Sequence, residues 1–143
     1  MEPFAVTVAN EGDTYRTIVA ARQHQLTADE PIDRSGTDTG PTPGELLLAS
    51  LGTCAAMTVR MYARRKDWPL AEVRVRLRYE EDYPEPDTTV IRREIELTGN
   101  LDEQQRQRLQ HIGQACPVHR MLTHRILILP ELPLPAVSTR AVS

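Results

Sequence analysis

Cys54 and Cys116 are the only cysteines of this chain, and they are the residues best able to carry chemistry. A thiolate is a nucleophile, a metal ligand and, beside a second thiol, half of a disulfide. The separation between positions 54 and 116 excludes a CxxC redox motif and a zinc-ribbon knuckle. Cys116-Pro117-Val118-His119 spells C-x-x-H, half of a metal site. His24, His111 and His124 offer no matching pair to complete it. A peroxide-reducing thiol needs a thiolate, a cation that steadies it and polarises the O–O bond, and a second thiol that traps the sulfenic acid. Arg22 and Arg34, both upstream of the long helix described next, are the candidate cations. The plainer reading is that each cysteine is a small buried hydrophobe and each arginine a solvated surface group.

A long helix must position Cys54. Thr42 is a good N-cap, Pro43 suits the first helical position, and Glu45 falls at the capping-box position. The helix is expected to run to about Lys66, where Trp68-Pro69 ends it. Its first half is apolar nearly all round, from Leu46 through Leu51 to Met57, which marks a buried helix. Cys54 lies on a stripe with Leu47, Leu51, Thr58 and Met61. Arg60, Arg64, Arg65 and Lys66 suit the negative end of the helix dipole. Glu45 is either a cap or a carboxylate that orients a cation near Cys54. At about 100° per residue it faces away from Cys54, so spacing favours the cap. Cys116 directly precedes Pro117, which predicts an N-cap of a short helix reaching Leu122. A helix N-terminus lowers a thiol pKa.

The rest of the chain supplies strands and a second helix. Strands are expected over Phe4–Asn10, Thr14–Ala21 and about Gln23–Thr27, followed by a loop rich in Asp, Gly, Pro and Ser over Asp29–Thr42. Glu72–Glu81 alternates, with Val73, Val75, Leu77 and Tyr79 on one face and Arg74, Arg76 and Arg78 on the other. Thr89–Thr98 is the return strand, led by Ile91, Ile95 and Leu97. A helix starts near Leu101-Asp102, and Arg125–Leu129 reads as a last strand. The order gives an α+β domain. One sheet of about six strands covers only one face of a helix that is apolar all round. A second subunit must cover the rest, so a homodimer is expected.

Composition bounds the function. The chain has 143 residues, enough for one domain over 1–143, with 130–143 as an irregular tail. Its net charge of -3 and pI near 5.8 argue against nucleic acid or an anionic membrane as partner. No uninterrupted apolar run approaches the ~18 residues of a membrane span, and no basic-then-apolar leader opens the chain. Two cysteines without a secretory signal suit a reducing, cytoplasmic setting, where such a pair is more often catalytic or metal-binding than a staple. No cofactor is implied.

The run Gly36-x-Asp38-x-Gly40-Pro41-x-Pro43-x-Glu45-Leu46-Leu47-Leu48-Ala49, then Gly52-Thr53-Cys54-x-x-Met57, with Cys116-Pro117-Val118-His119-Arg120, resembles the OsmC/Ohr family of osmotically inducible and organic hydroperoxide resistance proteins. The general OsmC-like, YhfA-type branch is the most similar, and the resemblance spans about His24 to Leu129. It implies an OsmC-like fold: an intertwined homodimer with two long central helices wrapped by antiparallel β-sheets. It further implies that Cys54 is the peroxidatic nucleophile and that Cys116 resolves its sulfenic acid to a disulfide. An arginine and a glutamate assist the first cysteine in such proteins. Arg34 falls at the offset of the OsmC arginine. The Ohr glutamate offset is occupied by Gly44, with Glu45 beside it. The implied partners are an organic hydroperoxide and a dithiol or lipoylated-protein reductant. The expected activity is that of a thiol-dependent organic hydroperoxide peroxidase. The alternatives are a non-enzymatic binder of small apolar ligands with inert buried cysteines, and a redox sensor.

Overall fold

The computed structural model describes residues 5–130. Three strands, β1 (Thr7–Asn10), β2 (Thr17–Ala21) and β3 (His24–Ala28), form an antiparallel meander in sequence order. A loop with a short 3-10 turn at Ile32–Arg34 leads to α1 (Pro43–Arg65). The hairpin β4 (Leu70–Tyr79) and β5 (Ile91–Gly99) follows, then α2 (Glu103–Gly113) and α3 (Pro117–Thr123). The expected single sheet of about six strands is instead two sheets, of three and two strands, among the described residues. The segment Arg125–Leu129 forms no strand either, and Ile128 is 89% exposed. β-propensity alone does not make a strand, because a strand needs a ladder partner, and this segment pairs with no described strand. Phe4 and the tail from residue 131 lie outside the described residues.

Local chemistry explains where the helices begin. Thr42 Oγ1 accepts the Glu45 N–H at 3.2 Å, and the Glu45 carboxylate accepts the Thr42 N–H at 3.1 Å, a reciprocal capping box. Asp102 and Gln105 repeat the arrangement at the start of α2. The loop before α1 is tied to Asp29, whose carboxylate is buried and accepts from the Thr37 and Thr39 hydroxyls at 2.5 and 2.7 Å. It also accepts from the backbone N–H groups of Glu30 and Thr39. These bonds hold the Asp29 carboxyl well below the usual carboxylate range. Gly36 and Gly40 let this loop close: a Cβ there would meet the Glu30 and Thr27 carbonyl oxygens at 1.8 and 2.0 Å.

The β4–β5 register places Val73 opposite Leu97, Val75 opposite Ile95, Leu77 opposite Arg93 and Tyr79 opposite Ile91. This face receives the helices. Outward arginines pair with acids, as Arg76 does with Glu94 and Glu96 at 3.4 and 3.2 Å, and such exposed pairs add little stability. The larger buried cluster joins Val59 and Ala63 of α1 with Leu70, Ile95, Leu97, Leu101 and Leu109. In length and composition α1 could cross a membrane, but it packs on this sheet as a core helix does. Within one chain, however, α1 is buried only along the stripe Leu51, Gly52, Ala55, Val59 and Ala63. Met57 and Met61 on another side are 66% and 68% exposed. The helix expected to be buried all round is therefore covered on one side by its own chain.

Candidate active site

The fold brings Cys54 and Cys116 together. Both belong to a second cluster, in which Leu51, Ala55 and Cys116 are buried and Cys54, Leu77, Ile91, Val118 and Leu122 pack around them. Both thiols are free, and Cys54 packs against the cluster that holds Cys116. Cys54 comes from the middle of α1, where Gly52 allows a tight seat on the hairpin: a Cβ at Gly52 would stand 2.7 Å from Leu77 Cδ1. Cys116 is the N-cap of α3, as its place before Pro117 predicts, and its Sγ accepts the His119 N–H at 3.4 Å. The Cys54 Sγ accepts the neighbouring Val118 N–H, also at 3.4 Å. The first turn of α3 therefore presents one amide to each sulfur.

The two thiols differ in environment. Cys54 is half-buried, while Cys116 is completely buried. Burial pushes the Cys116 thiol up, and the Cys54 sulfur beside it adds to the rise. The His119 amide and the Arg93 guanidinium pull the other way without reversing it. This corrects the expectation of a lowered Cys116 pKa: the cap is present, but desolvation outweighs it.

A cavity of about 230 Å³ adjoins the pair, walled by Leu51, Ile91 and Leu122 and edged by Thr89, Arg93, His119 and Thr123. Leu51, Ile91 and Leu122 are also members of the cysteine cluster. Arg93 points inward from β5, opposite Leu77. Its Nη2 lies 3.4 Å from His119 Nδ1 and 3.5 Å from the Gln114 carbonyl oxygen. Its Nη1 is buried with no hydrogen-bond partner among the described residues.

The sequence-predicted helpers lie elsewhere in the chain. Arg22 is exposed at the β2–β3 turn, in the left-handed region with φ 54°. Arg34 is exposed and lines a groove with Glu30, Thr42, Glu45, Leu48 and Tyr79 at the start of α1. Glu45 is engaged in the capping box, and its carboxyl is held low by Thr42. Nine residues of helix, about 13 Å along the axis, separate Glu45 from Cys54. Arg93 is the residue that the sequence reading passed over. Its signal is present: a cation at the third position of Ile91-x-Arg93-x-Ile95-x-Leu97, where the alternation calls for an apolar side chain. Among the described residues, no group of three or more His, Cys, Asp or Glu side chains gathers as a metal site.

The comparisons with known proteins agree with this architecture. The family model for OsmC-like protein matches residues 36–129. The chain belongs to the OsmC-like family. No relative among the curated proteins matches the sequence. An OsmC-like protein of Mycoplasma pneumoniae is similar in structure, with a TM-score of 0.70 and 20% identity over 85% of this chain and 87% of that one. An organic hydroperoxide resistance protein OsmC of Legionella pneumophila gives a TM-score of 0.63 and 16% identity over 86% and 90%. The organic hydroperoxide resistance protein OhrB of Bacillus subtilis gives 0.59 and 15% over 85% and 91%. The OsmC-like fold is thus shared.

Proposed function

We propose that this OsmC-like protein is a cysteine-based peroxidase of organic hydroperoxides. The observation that carries the reading is a half-buried and a completely buried thiol packed in one cluster, beside a cavity walled on one side by Leu51, Ile91 and Leu122. Cys54, the more accessible, attacks the terminal oxygen of the hydroperoxide as its thiolate. The O–O bond breaks, the alkoxide takes up a proton and leaves as an alcohol, and Cys54 becomes a sulfenic acid. Cys116 then attacks the sulfenic sulfur, an S–S bond forms, and the S–O bond breaks with release of water. An external dithiol, such as a lipoylated protein, returns both thiols. Leu51, Ile91 and Leu122 favour an alkyl or aryl hydroperoxide over hydrogen peroxide.

The reading includes a homodimer working in the cytoplasm. Exposed Met57 and Met61 flank an apolar groove with Ala56 and Val73, and Ile126–Leu129 is open to solvent. Exposed apolar surface of this kind suits a subunit contact. Arg34 and Glu45 enter as helpers of the first step. Given their distance along α1, they reach a cysteine only when a second subunit packs on that face.

The test is a thiol count. Reduced protein mixed with cumene hydroperoxide should lose both thiols quickly. Cys54→Ser should abolish the loss, and Cys116→Ser should stop at a Cys54 sulfenic acid or over-oxidise. No thiol loss over minutes in excess peroxide would overturn the proposal and leave the cavity as a site for an apolar ligand.

A further inference from the structure

Resting on the peroxidase reading, we infer that Arg93 is the charge partner of the resolving thiol, steadying Cys116 as a thiolate when it attacks the oxidised Cys54. The guanidinium sits on the inner face of the hairpin, against α3 and the C-terminal end of α2. Its two polar contacts, to His119 Nδ1 and the Gln114 carbonyl, lie at 3.4 and 3.5 Å, near the limit of a hydrogen bond. Its Nη1 is buried without a partner among the described residues. Buried donors normally have a partner, so a buried Nη1 without one needs an explanation. The reaction supplies one. A completely buried thiol must shed its proton before it can close the disulfide, and the negative charge then appears next to Arg93.

The resting site agrees with this assignment. Cys54 on α1 and Arg93 on β5 are the titratable or charged groups that act on Cys116, α3 gives it the His119 backbone N–H, and the His119 ring and the Gln114 carbonyl contact Arg93 itself. Burial raises the Cys116 thiol, and Arg93 is the one side chain among its neighbours that opposes the rise. In the resolving step the Cys116 thiolate displaces hydroxide from the Cys54 sulfenic acid. The sulfenic sulfur is reduced, Cys116 is oxidised, and the hydroxide leaves as water with the proton that Cys116 released.

Two measurements test the inference. In Arg93→Met, Cys54 sulfenic acid should form at the normal rate after cumene hydroperoxide is added. It should then persist about tenfold longer or more before the disulfide closes. Arg93→Lys should recover much of the loss, which a merely structural role would not explain. The second measurement needs no peroxide. In a Cys54→Ser background, the ultraviolet thiolate absorbance of Cys116 should titrate at higher pH in Arg93→Met and stay near the parent in Arg93→Lys. An unmoved thiolate titration profile in folded Arg93→Met would overturn the inference. So would slower sulfenic acid formation with unchanged disulfide closure, because Arg93 would then serve Cys54. If the protein ignores peroxide altogether but the profile moves, the peroxidase reading fails while the Arg93–Cys116 pairing stands. If Arg93→Met does not fold, Arg93→Lys with a parent-like profile supports the charge role, and a shifted one refutes it.

Discussion

Replacing Ala55 by Leu should separate the two thiols without touching either. Ala55 is completely buried and packs with Leu51 and Cys116 where α1 meets α3. Leu adds three carbons to a site with no exposed side. Overpacking of this size costs about 1–3 kcal/mol, because the helices part or the new side chain leaves its rotamer. For a domain of this length that is a fall in Tm of roughly 3–10 °C. The effect on chemistry should be larger than the effect on stability. A disulfide needs Cα atoms within about 4.4–6.8 Å, and a misplacement of about 1 Å in a reacting pair costs on the order of 10²-fold in rate. The comparison is Leu109→Ala, a truncation in the other cluster, which holds no cysteine. That change should cost about 2–5 kcal/mol. Both variants are assayed well below their melting temperatures, with a sulfenic-acid probe and mass spectrometry following the intermediate and the disulfide. Ala55→Leu should form sulfenic acid normally and close the disulfide slowly. Leu109→Ala, although less stable, should close it at the parent rate. Equal slowing in the two variants, or a parent rate in Ala55→Leu, would refute the claim that local packing at Ala55 sets the thiol geometry.

Three further outcomes are expected. Because the folded Cys116 thiol is raised, the unfolded chain loses that proton first as pH climbs past about 8.5. Stability in reductant should therefore fall with rising pH there, and urea titrations should show a smaller fall in Cys116→Ala. Asp29 has the opposite sign. Its lowered carboxyl contributes stability above about pH 4 that is lost on acidification, so Asp29→Asn should flatten the acid limb of the stability profile. On the proposed homodimer, Met61→Glu places a charge on the open face of α1 and should favour the monomer in sedimentation, and an unchanged sedimentation profile would count against that face as the subunit contact.

The parts of the fold that depend on short-range chemistry are legible in the sequence. Thr42, Pro43 and Glu45 announce the start of α1, and the capping box forms as read. The alternation through Val73, Val75 and Leu77 gives β4, and Cys116-Pro117 gives the start of α3. What fails depends on neighbours distant in the chain. Arg125–Leu129 has the composition of a strand but pairs with no described strand. The Cys116 pKa follows from how deeply tertiary packing buries the sulfur, which a local N-cap does not reveal. Arg93 was legible as a break in an apolar alternation, yet its meaning depends on α3 lying over β5, which no local pattern encodes.

The resemblance to OsmC/Ohr proteins gave the two thiols different roles, and the packing supplies an independent physical reason for the same division. A nucleophile for an external peroxide must be reachable, and Cys54 is the thiol that is half open. A resolving thiol must stay out of reach of peroxide, or it oxidises before its partner does. Complete burial provides that protection for Cys116 but raises its pKa, which slows its own attack. The two demands conflict unless a cation acts on the thiolate from within the fold. In the proposed mechanism Arg93 meets both, half-buried on the inner face of a strand with an Nη1 unpartnered among the described residues.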